Sequence, residues 1–146
     1  MTIGQSLLSE FDQEMQNTRK VLERCPDEKW NWKPHEKSGT LGWLAGHVAT
    51  MVEWLPVTIR TEELDYAPVN GPSWRPPKID HRKELLAGGQ EIFTMPRIAC
   101  IRGMVLNHHI HHRAQLTVYL RLMDVAVPGL YGPSADETQP NAAAAN

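Results

Sequence analysis

Four histidines fall within five consecutive positions, in the run Asn107-His108-His109-Ile110-His111-His112-Arg113, and neutral imidazole is the commonest side-chain ligand for divalent metals. At about 100° per residue, His108 and His112 stand one turn apart on nearly the same line of a helix. That line runs through an apolar stripe made by Ile98, Ile101, Met104, Val105, Leu116, Tyr119 and Met123. Burying two neighbouring imidazoles there without polar partners would cost on the order of a few kcal/mol, and a shared divalent metal removes that cost. His109 falls toward the edge of the stripe and His111 toward its other flank, so neither is a first-choice ligand.

A third imidazole, His47, lies at the centre of another apolar face, formed by Trp43, Leu44, His47, Met51, Trp54 and Leu55. A lone histidine on such a face is more often a core residue bonded to a neighbour, and an H-x-x-x-H pair arises by chance on surface helices. The combination is more informative. It predicts that His47, His108 and His112 hold one metal ion, with one or two coordination positions left for water or substrate, as in catalytic rather than structural zinc sites. Gln115 and Tyr119 continue the His108 line and are candidates to touch a ligand or a bound water. The second ring nitrogen of each ligand needs an acceptor, which Glu53, Asp12 or Glu14 could supply. Arg113 points away from the metal line, toward a surface or interface pairing, and His35 and His81 read as solvated loop residues. No general base of the H-E-x-x-H kind is present, so no catalytic side chain is assigned.

Helices must position these groups. Residues 3–24 place Leu7, Leu8, Phe11, Met15, Thr18 and Leu22 on one face, an amphipathic helix ended by Pro26. The connector over 26–39 has no sustained period and is anchored by Trp30 and Trp32. A second helix starts after Ser38 or Thr40, both competent N-caps. Pro56 kinks or ends it, although the apolar pattern reaches Ile59. Residues 61–80 form a Pro-rich loop with Tyr66, Trp74 and Pro76-Pro77, and only Ile79 to Ala87 offers a third helix before Gly88-Gly89. The last helix opens at Pro96 and its pattern holds to about Met123. Its reverse side carries Ala99, Gly103, Leu106, Ile110 and Thr117, a small-residue strip suited to a self-complementary interface through Gly103, Leu106 and Ile110. There is no internal repeat and no convincing strand, so the fold class is all-α. Residues 138–146 are low in complexity and read as a disordered tail.

With 146 residues, 41% of them hydrophobic, one domain over 1–137 is expected. The net charge of −2 and the lack of a Lys/Arg block exclude nucleic acid as the expected partner. Cys25 and Cys100 have no C-x-x-C spacing, which suits a reducing compartment. No secretory pattern and no run of about 20 apolar residues is present, so the expectation is a cytoplasmic protein without a membrane partner.

The segments LGWLAGHVATMVEW, LNHHIHHRAQLTVYLR and VPGLYGPSADE resemble, in that order, the DinB family of the DinB/YfiT-like superfamily, in particular members whose last long helix carries H-x-x-x-H-R-x-Q-L. The resemblance runs from the first helix to Glu137. It implies a four-helix bundle with a three-histidine metal site, often zinc or nickel, and frequently a homodimer. His47, His108 and His112 match the three ligand positions, and His111 matches a position where histidine is frequent without ligating. The chain departs from the family at KELLAGGQEIFTMPR, where the third helix is shortened. The long loop with Tyr66 and Trp74, or a partner subunit, would then cover part of the core. The resemblance implies a metal-dependent transferase that uses a low-molecular-weight thiol on a small-molecule substrate, or a metal-dependent hydrolase. The alternatives are a non-catalytic metal-binding stress-response protein with a fourth protein ligand, and a helical interaction protein with packed histidines. An open site would be entered past Trp30, Trp32 and Trp43.

Overall fold

The computed structural model describes residues 2–61, 63–65, 82–87 and 90–137. Mostly helical, it contains α1 (Ile3–Leu22), α2 (Leu41–Thr50), a 3-10 turn (Met51–Glu53), α3 (Trp54–Arg60), β1 (Glu63–Asp65), β2 (Arg82–Ala87), β3 (Gln90–Pro96), α4 (Arg97–Cys100), a π-helical stretch (Ile101–Asn107) and α5 (His108–Leu122). Two compact units are formed, one by the residues up to Ala49 together with those from Ile110 onward, the other by Thr50–His109. None of the described helices is long and apolar enough to cross a membrane.

In the first unit α1 begins with a capping box. The Thr2 hydroxyl accepts from the Gln5 backbone N–H at 3.2 Å, and the Gln5 side chain accepts from the Thr2 N–H at 2.8 Å. The helix buries Leu7, Glu14, Asn17, Thr18 and Val21, whereas Leu8, expected on the inner face, is 59% exposed. The face is therefore turned by about one residue, drawn inward by Glu14. Thr40 caps α2, its hydroxyl accepting from the Trp43 N–H at 3.1 Å. The core consists of Val21, Leu41, Leu44, Ala45, Val48, Leu116 and Leu120, with Val125, Val127 and Leu130 of the C-terminal segment packed on it. After α5 the chain turns at Asp124, whose φ of 59° lies in the left-handed region. The Val125 N–H reaches the Leu120 carbonyl and the Asp124 N–H that of Arg121, which satisfies two orphan carbonyls of the helix end.

In the second unit Pro56 sits within the first turn of α3 rather than ending a helix. Proline has no N–H to give the carbonyl four residues earlier, and the α-helical pattern yields to the 3-10 turn at Met51–Glu53 just before it. The short helix expected over Ile79 to Ala87 is corrected where the structure describes it. Residues 82–87 are strand β2, paired parallel to β1 and antiparallel to β3, from Arg82↔Pro96 to Ala87↔Gln90. Six residues are too few to hold a helix without packing, and a Gly-Gly pair between two runs is a hairpin signal. Residues 79–81 and the loop side chains Tyr66 and Trp74 lie outside the described residues. Pro96 caps α4 from just outside it. The π-helical stretch buries Val105 and Leu106, and Cys100, five residues before Val105, is buried at the end of α4.

Candidate metal centre

On α2 the buried residues are Leu41, Leu44, Ala45 and Val48; on α5 they are His109, Arg113, Leu116 and Leu120. His47 and His112 each stand one position off those stripes and are half-buried. The histidine line is thus the margin of the core face and not its centre, as the sequence pattern suggested. Position 109, one step round the helix, takes the core place and is only 2% exposed. At the margin an imidazole can turn one nitrogen to protein and the other to a ligand.

The His47 and His112 rings lie 4.8 Å apart between centroids and nearly perpendicular, at 79°. His108 opens α5 one turn before His112, and the candidate ligand nitrogens of all three lie within 4.8 Å of one another. Three nitrogens each roughly 2.1 Å from one tetrahedral zinc ion stand about 3.4 Å apart. The three imidazoles would therefore draw together by up to about 1.4 Å to share one ion. Among the described residues this group of potential ligands contains the three histidines alone.

Neighbouring side chains orient the rings. Trp43, one turn before His47 on α2, stacks on it at 5.1 Å and 16°. Gln115 Oε1 lies 2.7 Å from His112 Nδ1. An amide oxygen only accepts, so Nδ1 carries the proton and Nε2 keeps its lone pair for a metal. Gln115 was expected near the ligands and is found on His112. In the second unit the Trp54 ring is tilted against His108 at 5.6 Å. Burial, and then the nearby His112, push the His47 pKa below the usual imidazole value, which favours the neutral, ligating form. His111 is exposed beside His112, with ring centroids 5.0 Å apart. The Tyr119 hydroxyl donates to the Gly39 carbonyl at 3.2 Å, with Trp32 edge-on to its ring.

The reading of Arg113 as a surface residue is corrected. It is 1% exposed, and its Nη2 meets Glu14 Oε2 at 2.6 Å. Nη1 donates to the Glu14 carbonyl at 2.9 Å and Nη2 to the Tyr131 hydroxyl at 2.5 Å, and that hydroxyl in turn donates to Glu14 Oε2 at 2.8 Å. Glu14 therefore serves Arg113 and Tyr131. The signal available in the sequence was the pairing of an arginine directly after His112 with a tyrosine in the C-terminal YGPSADE segment.

The model of the DinB superfamily matches residues 10–95, and that of the DinB family matches residues 102–143. Over 33 residues the chain is 46% identical to the uncharacterized protein YrdA of Bacillus subtilis (strain 168), a stretch that covers 23% of this chain and 20% of that protein. The chain thus spans about a fifth of that relative's length in the match. No solved structure matches. With the superfamily model alone covering more than half of the 146 residues, and the family model taking up the segment that carries His108 and His112, the chain belongs to the DinB superfamily.

Proposed function

We propose that this protein is a metal-dependent enzyme, a thiol-dependent transferase acting on a small molecule, with one zinc or nickel ion held by His47, His108 and His112. The convergence of three imidazoles within 4.8 Å carries this reading. When bound, a divalent ion would lower the pKa of a coordinated thiol or water toward neutrality. The chain's own residues do the rest. Trp43 fixes the His47 ring by stacking, and Gln115 fixes the tautomer of His112. Among the described residues the group has three members, and in this reading the fourth position on the ion is left to water or thiol. A hydrolase is the second reading, because the same open position would serve water as well as a low-molecular-weight thiol.

Elemental analysis of untagged protein purified without a metal column tests the ligand set. About one equivalent of zinc or nickel is expected in the native chain and none in His112→Ala; stoichiometric metal in that variant refutes the assignment. Cobalt substitution tests the chemistry. A thiol that changes the visible spectrum of the cobalt protein, and leaves the spectrum of His108→Ala unchanged, upholds the transferase. Turnover of an ester or amide with no thiol-dependent spectral change assigns the site to hydrolysis.

A further inference from the structure

Beside the histidines, within the first unit, lies a cleft of about 350 Å³. It is lined by Ser38 and Gly39 at the end of the connector, Trp43 and Leu44 on α2, and Gln115, Val118 and Tyr119 on α5. Gly39 is required for this shape, because a Cβ there would lie 2.5 Å from Trp43 Cε3. Two wall residues are the ones that touch the ligand set, Trp43 against His47 and Gln115 against His112. From there the cleft follows α5 for a turn, about 6 Å from Gln115 to Tyr119 at 1.5 Å per residue.

Every residue lining the cleft is uncharged. Trp43 is 58% exposed and Val118 56% exposed, so a flat indole and a branched aliphatic side chain are left to water beside the candidate metal position. The Tyr119 hydroxyl is engaged with the Gly39 carbonyl and Gln115 Oε1 with His112. A carboxylate, phosphate or ammonium seated here would lose hydration with no opposite charge on the walls. An aryl group would stack on the indole and shed apolar surface, and a volume of this size holds one or two rings.

We propose that the cleft seats the uncharged aromatic part of the substrate, whose reactive end then lies at His47, His108 and His112. This substrate class rests on the metal-dependent reading above, but the cleft can be tested without metal. The full-length protein is titrated in the presence of a chelator with 4-methylbenzamide and with 4-methylbenzoate, which share shape and differ in charge, and binding is read by ligand-observed NMR. The amide is expected to bind at least tenfold more tightly than the carboxylate. Val118→Glu, at an exposed position that leaves the fold intact by circular dichroism, should weaken the amide at least tenfold, and Val118→Lys should bring the carboxylate up to the amide or beyond. Equal binding of the two probes to the native chain, or amide binding unaffected by Val118→Glu, overturns the proposal. Amide binding by a chain that takes up no metal upholds the cleft and refutes the ligand set. Metal uptake with no amide binding upholds the ligand set and refutes the cleft.

Discussion

Arg113 follows His112 directly, and on a helix the two side chains leave about 100° apart, so one turns into the core while the other stays at its margin. The core position is filled by an ion pair in which both partners are nearly excluded from water, at 1% and 7% side-chain exposure. Removing one partner of such a pair leaves a buried charge uncompensated, at a cost of roughly 3 to 5 kcal/mol. Arg113→Met is expected to destabilise by about that amount in urea unfolding, and Glu14→Leu combined with Arg113→Met by clearly less than the sum of the single changes. Additive losses would mean that the pair is not coupled. That His47, His108 and His112 come together was legible because their types and spacing are rare. The arginine was not, because a charged residue off an apolar stripe is ordinarily at the surface, and its partner lies 99 positions away in the chain.

Among the elements, those with strong local signals were read correctly. The capping residue of α2, the long α1 and the end of the last helix near Met123 all follow from caps and period. The π-helical stretch was not legible, since its wider turn displaces the apolar phase without any breaker residue, and β2 was masked by a helix-favouring composition. The C-terminal segment is held by carboxylates at an element boundary. Asp136 pairs with Arg121 and accepts from the Val127 N–H at 2.8 Å, and Glu137 accepts from the Gly129 N–H at 2.6 Å. The Arg121 hydrogen bond, first, and the Val127 N–H hold the Asp136 carboxyl below its ordinary value; the N–H groups of Gly129 and Ser134 do the same for Glu137. Both contribute stability above their unfolded values of 3.8 and 4.5, and that stability is lost as pH falls through the lower folded values. The urea midpoint should therefore decline more steeply between roughly pH 5 and pH 2 in the native chain than in Asp136→Asn. Identical slopes would show that the Asp136 contacts do not persist in solution.

For the whole molecule, family membership was readable from the order of three motifs, because order along the chain survives where local structure departs. None of the three motifs lies in the region around the strands, and there the sequence misled. A metal that binds only the folded state stabilises it by RT ln(1 + [L]/Kd), about 2.7 kcal/mol at a hundredfold excess over Kd. For a chain of this size each kcal/mol moves Tm by roughly 2 to 4 °C, so zinc or nickel should raise Tm by about 5 to 11 °C. His47 and His112 stand at the margin of the core, so His112→Ala should leave the metal-free Tm within a few degrees of the native value while abolishing the shift. His111→Ala is the sharper control. Its ring is a neighbour of His112 and it belongs to the same histidine run, yet it is outside the converging group. That variant should keep the full metal-induced shift. If His111→Ala loses the shift together with His112→Ala, the ion is bound by the exposed histidine run as a whole and not by imidazoles converging from α2 and α5.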